Sequence, residues 1–272
     1  MRTYVITGGT DGMGRALGLH FARRGDRVIA VASGAEKGRR FVAEAGENAS
    51  FLRADLSTLE GMRRVVEEVP DVVDGLVFGA QRFRPSREET ADGLEFTFAL
   101  MYLSRFVIGH GLVERLERAE APVIMNIAGP GGLPGTVHWD DLQLTRRYKG
   151  MRASMQASRC LDLLGADFAE RHPGARTRYV LYNPGFVDTG MADPLPPARR
   201  VLTKVLAKAF AKSPEKAIVP IARLMDERPE APVSAFKQGK PLALEGEDFD
   251  PVRAARLHDV TVELIGGPPV RT

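Results

Sequence analysis

Residues 7–14 read Thr7-Gly8-Gly9-Thr10-Asp11-Gly12-Met13-Gly14, between an apolar run at 4–7 and a helical pattern over 13–24. Glycines in such a turn let the backbone approach a pyrophosphate closely, and the N-terminus of the following helix supplies free amide donors. A glycine-rich turn alone is often an ordinary loop, but its place between a strand and a helix is typical of a nucleotide site. The stretch therefore predicts a strand, a phosphate-binding turn and a helix.

Short apolar, β-branched runs alternate with helical patterns along the rest of the chain. A parallel sheet covered by helices on both faces shows this alternation, because its strands are buried on both sides. No internal repeat or linker interrupts the pattern, so we expect an α/β fold with one doubly wound domain over residues 1–272 and about seven parallel strands. The predicted strands are Tyr4–Thr7, Arg27–Ala32, Ser50–Arg53, Gly75–Gly79, Val123–Ile127, Thr177–Tyr182 and Val233–Phe236, and the predicted helices are 13–24, 35–46, 58–68, 92–119, 150–171, 198–212, 214–227 and 251–264.

Two helix starts carry their own signals. Ser213-Pro214-Glu215 offers a capping hydroxyl, a proline in the first turn and an acidic side chain near the positive end of the helix. Ser57, three residues before Glu60, has the spacing of a capping box, which predicts Ser57 as the N-cap of the third helix.

Composition narrows the class of protein. A chain of 272 residues that is 44% hydrophobic can bury one large core. The net charge of +3 favours neither nucleic acid nor a membrane as a partner, since those partners leave a clustered basic signal. The single cysteine, Cys160, excludes an internal disulfide and fits a reducing compartment. With no apolar run of transmembrane length and no signal-peptide pattern, we expect a soluble cytoplasmic protein.

Four further segments carry recognisable patterns: Asp55-Leu56 after the third strand, residues 92–106 in the centre, Trp139-Asp140-Asp141-Leu142, and Asn183-Pro184-Gly185-Phe186-Val187-Asp188-Thr189. With the glycine turn, they resemble the short-chain dehydrogenase/reductase family over nearly the whole chain. The second half is most similar to its retinol-dehydrogenase-like branch. The resemblance implies a Rossmann-type fold, a nicotinamide cofactor, a small-molecule substrate and a homo-oligomer. It places the cofactor against Thr7, Gly8, Gly12, Met13, Gly14, Asp55, Leu56, Ala80, Pro184, Gly185, Val187 and Thr189.

The end of the second strand indicates which nucleotide binds. NAD-binding members carry an acid there that accepts hydrogen bonds from the ribose 2′-hydroxyl. Here the stretch is Val31-Ala32-Ser33-Gly34, with no carboxylate before Glu36. An acid would repel a 2′-phosphate, so its absence favours NADP(H). Candidate phosphate contacts are Arg15, Ser33, Lys37, Arg39 and Arg40, although Arg39 and Arg40 also suit a solvated helix face.

The resemblance fails at the catalytic residues. The family uses a tyrosine as acid or base, a lysine four residues later, a serine that polarises the substrate and an asparagine in a water relay. By alignment with neighbouring residues, these positions are Ser154, Ser158, Gly129 and Met101. All four groups of the usual proton relay are therefore absent.

Tyr148 and Arg152 also stand four residues apart, so a shifted alignment would place the pair there. Ser154 lies 30 residues before Pro184, a span that suits one helix, one turn and one strand in the family pattern. Tyr148 requires six residues more, and its neighbours resemble the loop before the helix. We therefore interpret Tyr148 as a loop residue. The family's Asn-Asn-Ala-Gly turn also departs, since residues 78–81 read Phe-Gly-Ala-Gln.

Other side chains are candidates for chemistry in the cleft. We consider His138 and Tyr182 for proton transfer, and Ser154 and Ser158 as hydrogen-bond groups toward substrate. A serine nucleophile is not expected, because no histidine–acid partner pattern accompanies either serine. The histidines are scattered along the sequence, so no metal site is predicted. Residues expected to face the cleft or its loop are also Gln81, Tyr102, Asp140, Asp141 and Asn183.

A basic amphipathic helix is predicted over Arg199 to Lys212, within a substrate-lid segment at 188–212. A membrane-surface helix has a similar pattern, but the resemblance implies a lid at this position. The apolar side of this helix favours a largely hydrophobic substrate.

Three functions remain open. The first is an NADP(H)-binding reductase of small carbonyl compounds that takes its proton from Tyr182, His138 or water. The second is a non-redox enzyme on the same scaffold, catalysing elimination, isomerisation or cyclisation. The third is a non-catalytic nucleotide-binding or regulatory protein.

Overall fold

The computed structural model describes residues 1–132, 134–187 and 212–267 of the chain. Within them, one sheet runs in the order β3-β2-β1-β4-β5-β6-β7-β8, and every neighbouring pair is parallel except the last. This confirms the predicted doubly wound α/β fold. The strands are β1 (Thr3–Thr7), β2 (Arg27–Ala32), β3 (Ala49–Arg53), β4 (Gly75–Phe78), β5 (Val123–Ile127), β6 (Arg178–Asn183), β7 (Val233–Lys237) and β8 (Lys240–Leu242).

Strand β8 was missed by the sequence pattern. It pairs antiparallel with β7 through the two-residue turn Gln238-Gly239, where φ is 52° and 84°. Positive φ at both central residues defines the type I′ turn that matches the twist of a hairpin. β8 is three residues long and contains Lys240 and Pro241, so it lacks the apolar alternation that identifies a strand.

Helices cover both faces of the sheet and agree closely with the predicted ranges, except in the centre of the chain. There the predicted helix over 92–119 is a π-helical segment at Phe98–Leu103 followed by two α-helices. The predicted helix over 198–212 lies outside the described residues, apart from Lys212 at its end. The α-helices are α1 (Gly12–Arg23), α2 (Ala35–Ala45), α3 (Leu59–Glu68), α4 (Ser104–Gly111), α5 (Val113–Glu117), α6 (Gly150–Arg171), α7 (Pro214–Ala217), α8 (Val219–Glu227) and α9 (Pro251–Leu264).

Local chemistry explains how several helices begin. Ser213 caps α7 as expected, since its hydroxyl accepts from Lys216 N. The prediction for α3 was wrong by one residue: Thr58 Oγ1 accepts from Gly61 N at 3.1 Å, whereas Ser57 Oγ donates to Asp55 Oδ1 at 2.7 Å. A proline in the first turn of α8 has no N–H to donate, which fits the break between α7 and α8.

Two apolar clusters pack against the two faces of the sheet. Successive residues of β1 enter different clusters, Val5 one and Ile6 the other, as the two-residue period of a strand requires. The first cluster contains Phe98, Phe106 and Phe168, from the side of α4, α6 and α9. The second contains Phe21, Phe41 and Met225, from the side of α1, α2 and α8.

The strand order places a crevice at one edge of the sheet. β1 lies between β2 and β4, so the chain changes direction across the sheet at β1 and β4. Ligands of such sheets bind at this switch point, outside the carboxyl ends of the strands. Among the described helices, none combines the length and apolar character needed to cross a bilayer.

Candidate functional site

The glycine turn after β1 brings two backbone segments into close contact. Gly8 has φ +68°, and a Cβ there would lie 2.9 Å from Ala80 Cα. A Cβ on Gly14 would lie 2.4 Å from Gly8 O. Both distances are far shorter than a side chain tolerates, so glycine is required for the turn to fit against α1 and the end of β4.

Thr7 holds the ends of β1 and β4 together. Its hydroxyl accepts from Gly79 N at 3.2 Å and from Ala80 N at 3.4 Å. The side chain is 1% exposed. Thr7 therefore holds together the strand ends beneath the crevice, and its side chain does not line the cavity.

A cavity of about 500 Å³ opens at this edge of the sheet. Its size is in the range of small-molecule and cofactor sites. Eight of the residues predicted to bind the cofactor line this cavity: Gly8, Gly12, Met13, Gly14, Ser33, Asp55, Leu56 and Ala80. Further lining residues include Asp11, Lys37, Gln81, Phe96, Leu100 and Ile127.

Other predicted cofactor residues lie near the same edge but do not line this cavity. Pro184, Gly185 and Val187 follow β6, and Gly185 N donates to Asn183 Oδ1 at 2.9 Å. Asn183 Nδ2 in turn donates to Pro130 O at 3.0 Å, so this side chain links the segments that follow β5 and β6. Thr189 and the rest of the predicted lid, apart from Lys212, lie outside the described residues.

Three of the four cations proposed for a 2′-phosphate are paired with an acid. Lys37 Nζ contacts Asp11, Arg15 contacts Glu44, and Arg40 contacts Glu36. These pairs are at least a third exposed, so they are weak and can exchange partners. Only Lys37 of these three cations lines the cavity.

Arg53, at the end of β3, was missed by the sequence analysis. Ala32 and Arg53 are register partners, and Arg53 Nε donates to Ser33 O at 3.2 Å. The guanidinium is exposed, and no carboxylate pairs with it among the residues described. The parallel pairing of β2 with β3 could have revealed it, because that pairing brings the last residues of both strands together.

On the other side of the crevice, the structure brings two of the four substituted relay positions together. A Cβ on Gly129 would lie 2.6 Å from Ser158 Oγ. Arg159 Nη2 donates to Ser158 Oγ at 3.3 Å and to Gly129 O at 3.2 Å. Ser158 on α6 thus faces the segment after β5.

The other two substituted positions are partly buried. Ser154 lies one helical turn before Ser158 on α6, and Met101 lies in the π-helical segment next to Leu100, which lines the cavity. π-Helical turns are often found at functional sites. Neither side chain can transfer a proton near neutral pH.

The two candidates for proton transfer have different surroundings. Tyr182 is 1% exposed within the second apolar cluster, and burial raises its pKa. His138 Nε2 accepts from Arg152 Nε at 2.8 Å. Burial and the Arg152 charge lower the pKa of His138, so this imidazole is neutral at pH 7. Tyr182 contributes packing, whereas His138 keeps a neutral ring beside the start of α6.

Tyr148 and Tyr102 both have structural partners. Tyr148 precedes α6 and donates to Glu95 Oε1 at 3.1 Å, which agrees with the loop position expected for it. Burial raises the pKa of Tyr148 to about 12. The expectation that Tyr102 faces the crevice was wrong: its buried hydroxyl is 2.8 Å from Thr261 Oγ1 on α9.

Arg105 is a buried guanidinium that the sequence analysis also missed. It is 1% exposed, and burial lowers its pKa to about 10. Its Nη1 donates to Ile127 O at 2.8 Å and contacts Asn126 Oδ1, and its Nη2 donates to Ala80 O at 3.3 Å. No carboxylate pairs with it in the described part of the chain. Arg105 therefore ties the segment after β4, which lines the cavity, to the end of β5.

Comparison with known proteins identifies the architecture. A family model described as short chain dehydrogenase matches residues 2–140. Human Dehydrogenase/reductase SDR family member 12 is 30% identical over 69% of this chain and 61% of its own length. Human retinol dehydrogenase 13 is 28% identical over 69% of this chain and 60% of its own length. Human polyprenol dehydrogenase is 27% identical over 79% of this chain and 69% of its own length. The chain thus spans about three fifths of the first two curated relatives.

Solved structures show the same fold. A protein from Mycobacterium paratuberculosis is 22% identical, has a TM-score of 0.73 and covers 100% of this chain and 96% of its own. The closed form of serine dehydrogenase complexed with NADP+ is 16% identical, has a TM-score of 0.67 and covers 86% of this chain and 94% of its own. At these identities the likeness concerns the fold.

Proposed function

Because the chain belongs to the short-chain dehydrogenase family, we propose that it binds NADP(H) and acts on a small, largely apolar carbonyl compound without the family's tyrosine–lysine proton relay. The cavity at the carboxyl ends of β1 and β4 carries this proposal. The turn that lines it has glycines at positions where a side chain would clash with neighbouring backbone, as a close-packed phosphate-binding turn requires. The α1 N-terminus faces the same turn and favours an anion.

The phosphate end of the site supports NADP(H) over NAD(H). Ser33 and Lys37 line the cavity, and the exposed guanidinium of Arg53 reaches Ser33. A 2′-phosphate can take Lys37 from its exposed pair with Asp11, because it carries more charge than one carboxylate. No carboxylate of β2 competes for the ribose.

The remaining cofactor contacts follow from position. The amides at the N-terminus of α1 would hold the pyrophosphate, and Asp55 and Leu56 would hold the adenine. Arg105 positions Ala80, and Pro184, Gly185, Val187 and Thr189 are assigned to the nicotinamide end. When bound, the cofactor supplies or accepts a hydride.

The residues near the carbonyl orient it more than they activate it. Ser154 and Ser158 offer hydroxyls, and the Arg159 guanidinium polarises that of Ser158. General acid–base assistance is typically worth about 10²–10⁴-fold in rate, so turnover without the tyrosine is slow. The proton comes from water, because the His138 ring is neutral and its Nε2 accepts from Arg152.

An apolar substrate is supported by the lining and by the relatives. Phe96, Leu100 and Ile127 line the cavity. The names of two relatives, polyprenol dehydrogenase and retinol dehydrogenase 13, refer to long apolar alcohols. The predicted lid helix carries a further apolar face.

A second candidate is a protein without redox turnover on the same scaffold, either a non-redox enzyme or a nucleotide-binding regulator. The substitutions at Met101, Gly129, Ser154 and Ser158 favour it, since together they remove the whole relay.

The double variant Ser154→Tyr, Ser158→Lys tests the proposed arrangement. It restores the tyrosine–lysine pair at the two assigned positions on α6, so carbonyl reduction with NADPH should rise at least about tenfold across a panel of apolar ketones and aldehydes. The reaction is followed at the absorbance of the reduced cofactor. Ser154→Phe with Ser158→Met is the control of similar size without proton chemistry. A folded double variant that binds NADPH and gains nothing over this control contradicts the assignment of the four positions.

A further inference from the structure

Three helices on one side of the sheet bring together histidines that are far apart in sequence. His110 lies near the end of α4, Asp167 near the end of α6, and His258 within α9. His172, the residue after α6, also contacts this group. Three of the five histidines, which look scattered in the sequence, are thus clustered in the fold.

The cluster contains two buried polar atoms that no hydrogen bond satisfies. His110 Nε2 and Asp167 Oδ2 are 3.7 Å apart, with side chains 8% and 5% exposed. That separation is too long for a hydrogen bond, and an unsatisfied buried polar atom costs about 1–3 kcal/mol. One ligand atom from each of His110, Asp167 and His258 lies within 4.8 Å of the other two.

The surrounding contacts hold these ligand atoms in position. His172 Nε2 is 3.2 Å from His110 Nδ1, so it occupies the other ring nitrogen of His110. Arg171 Nε donates to Asp167 Oδ1 at 2.9 Å, which leaves Oδ2 open. Asp259 lies 3.4 Å from both Arg171 and His258 Nδ1. Hydrogen bonds of this kind behind the ligands are typical of protein metal sites.

We propose that His110, Asp167 and His258 bind a divalent transition-metal ion of the zinc class, which joins α4, α6 and α9. Two imidazoles and one carboxylate, with water in a fourth position, form a common tetrahedral zinc site. Zinc–ligand bonds of about 2.0–2.1 Å require ligand atoms roughly 3.3 Å apart, so the side chains move inward by about 1 Å on binding.

The role of this ion is structural. α4 leads through α5 into β5, and α6 leads into β6. The last turns of α4 and α6 therefore lie near the amino ends of these strands, at the opposite edge of the sheet from the cofactor cavity. α9 packs along α6, and Tyr102 already bonds Thr261 of this helix. The ion therefore fastens α9 without contacting the proposed reaction site.

Zinc binding by the tag-free chain tests the proposal. After chelator treatment and removal of excess metal, one equivalent of Zn²⁺ should bind per chain. At a free zinc concentration a hundred times the dissociation constant, the midpoint of thermal unfolding should rise by about 5 °C. Mg²⁺ should have no effect, because it prefers oxygen ligands. Co²⁺ in place of zinc should give the visible absorption bands of a tetrahedral site.

Variants separate this site from surface binding. His258→Gln and Asp167→Asn should each weaken zinc affinity at least about tenfold, because each removes one ligand. His20→Gln, on the exposed face of α1, is the matched control and should bind zinc like the unaltered chain. Absence of both a zinc-specific midpoint shift and the cobalt bands, or unchanged zinc affinity in His258→Gln, overturns the proposal. If a variant does not fold, the stoichiometry and cobalt spectrum of the unaltered chain still decide it.

Discussion

Arg105 carries a guanidinium into the centre of the molecule and binds three carbonyl oxygens there, those of Asn126, Ile127 and Ala80. Burying an unpaired charge is costly, and such a residue persists where its hydrogen bonds hold a particular geometry. The geometry held here is the spacing of β4 and β5 beneath the cavity. A sequence pattern cannot reveal this residue, because an arginine among apolar helix positions predicts an exposed side chain.

Arg53 should supply a large part of the preference for the 2′-phosphate. A charge-assisted hydrogen bond is worth about 1.5–3 kcal/mol, so Arg53→Gln should weaken NADPH binding roughly ten- to hundredfold. NADH binding should not change, because it has no phosphate at this position. Both affinities are measured by titration of cofactor fluorescence.

Arg23→Gln is the matched control, since Arg23 is an exposed cation at the last residue of α1, the end of the helix away from the glycine turn. It should leave both affinities unchanged. Equal losses of NADPH and NADH affinity in Arg53→Gln would contradict a phosphate contact and indicate a general structural role.

At the scale of elements, the glycine turn and α1 act as one unit. The sequence predicted both, because glycine spacing and strand–turn–helix context are local signals. The π-helical segment at Phe98–Leu103 was not predictable, since the apolar pattern of its residues is the same for an α-helix. Glu95 accepts from Thr97 N and Phe98 N at the start of this segment, which fixes where it begins.

Gly14→Ala tests the turn. A Cβ at this position would lie 2.4 Å from Gly8 O, so α1 must move away from the turn. We expect NADPH affinity to fall more than about tenfold and the thermal midpoint to decrease. Gly34→Ala is the control, because Gly34 lines the same cavity and a Cβ there meets nothing within 4 Å. Equal behaviour of the two variants would show that the close approach at Gly14 is unimportant.

Glu117 joins the end of α5 to the start of β6. Its carboxylate accepts from Arg176 N at 2.8 Å, from Thr177 N at 2.8 Å and from Thr177 Oγ1 at 2.5 Å. Burial alone would raise the pKa of Glu117, but these hydrogen bonds and the Arg176 charge lower it below 4.5. The lowered pKa means that the folded state binds the proton less tightly than the unfolded state, so stability is lost as pH falls through the folded-state pKa.

Glu117→Gln should therefore destabilise the protein by about 1 kcal/mol at pH 7, because neutral hydrogen bonds replace charge-assisted ones. The difference from the unaltered chain should shrink as pH falls below 4.5, where Glu117 of the unfolded chain becomes protonated, and should be lost below the lower folded-state pKa. Urea unfolding at a series of pH values measures this difference. A difference that stays constant with pH would show that the charge of Glu117 contributes nothing.

At the scale of the whole molecule, the sequence predicts the sheet well and the chemistry only in part. Strands and the glycine turn follow from local patterns, whereas the cluster of His110, Asp167 and His258 depends on how three distant helices meet. Arg53 and Ser33 likewise meet only through the pairing of β2 with β3. The assignment of the relay positions rests on the spacing between α6 and the end of β6 and stays a prediction. A homo-oligomer stays a prediction.

Titration of the purified chain with NADPH and NADH tests the central claim most directly, that the cofactor site is kept although the relay is absent. Loss of the usual lysine weakens binding about ten- to hundredfold, but the phosphate contacts remain. We predict saturable NADPH binding in the micromolar range and NADH binding at least about tenfold weaker. If neither nucleotide binds below millimolar concentration, or if NADH binds more tightly, the proposed cofactor site is contradicted.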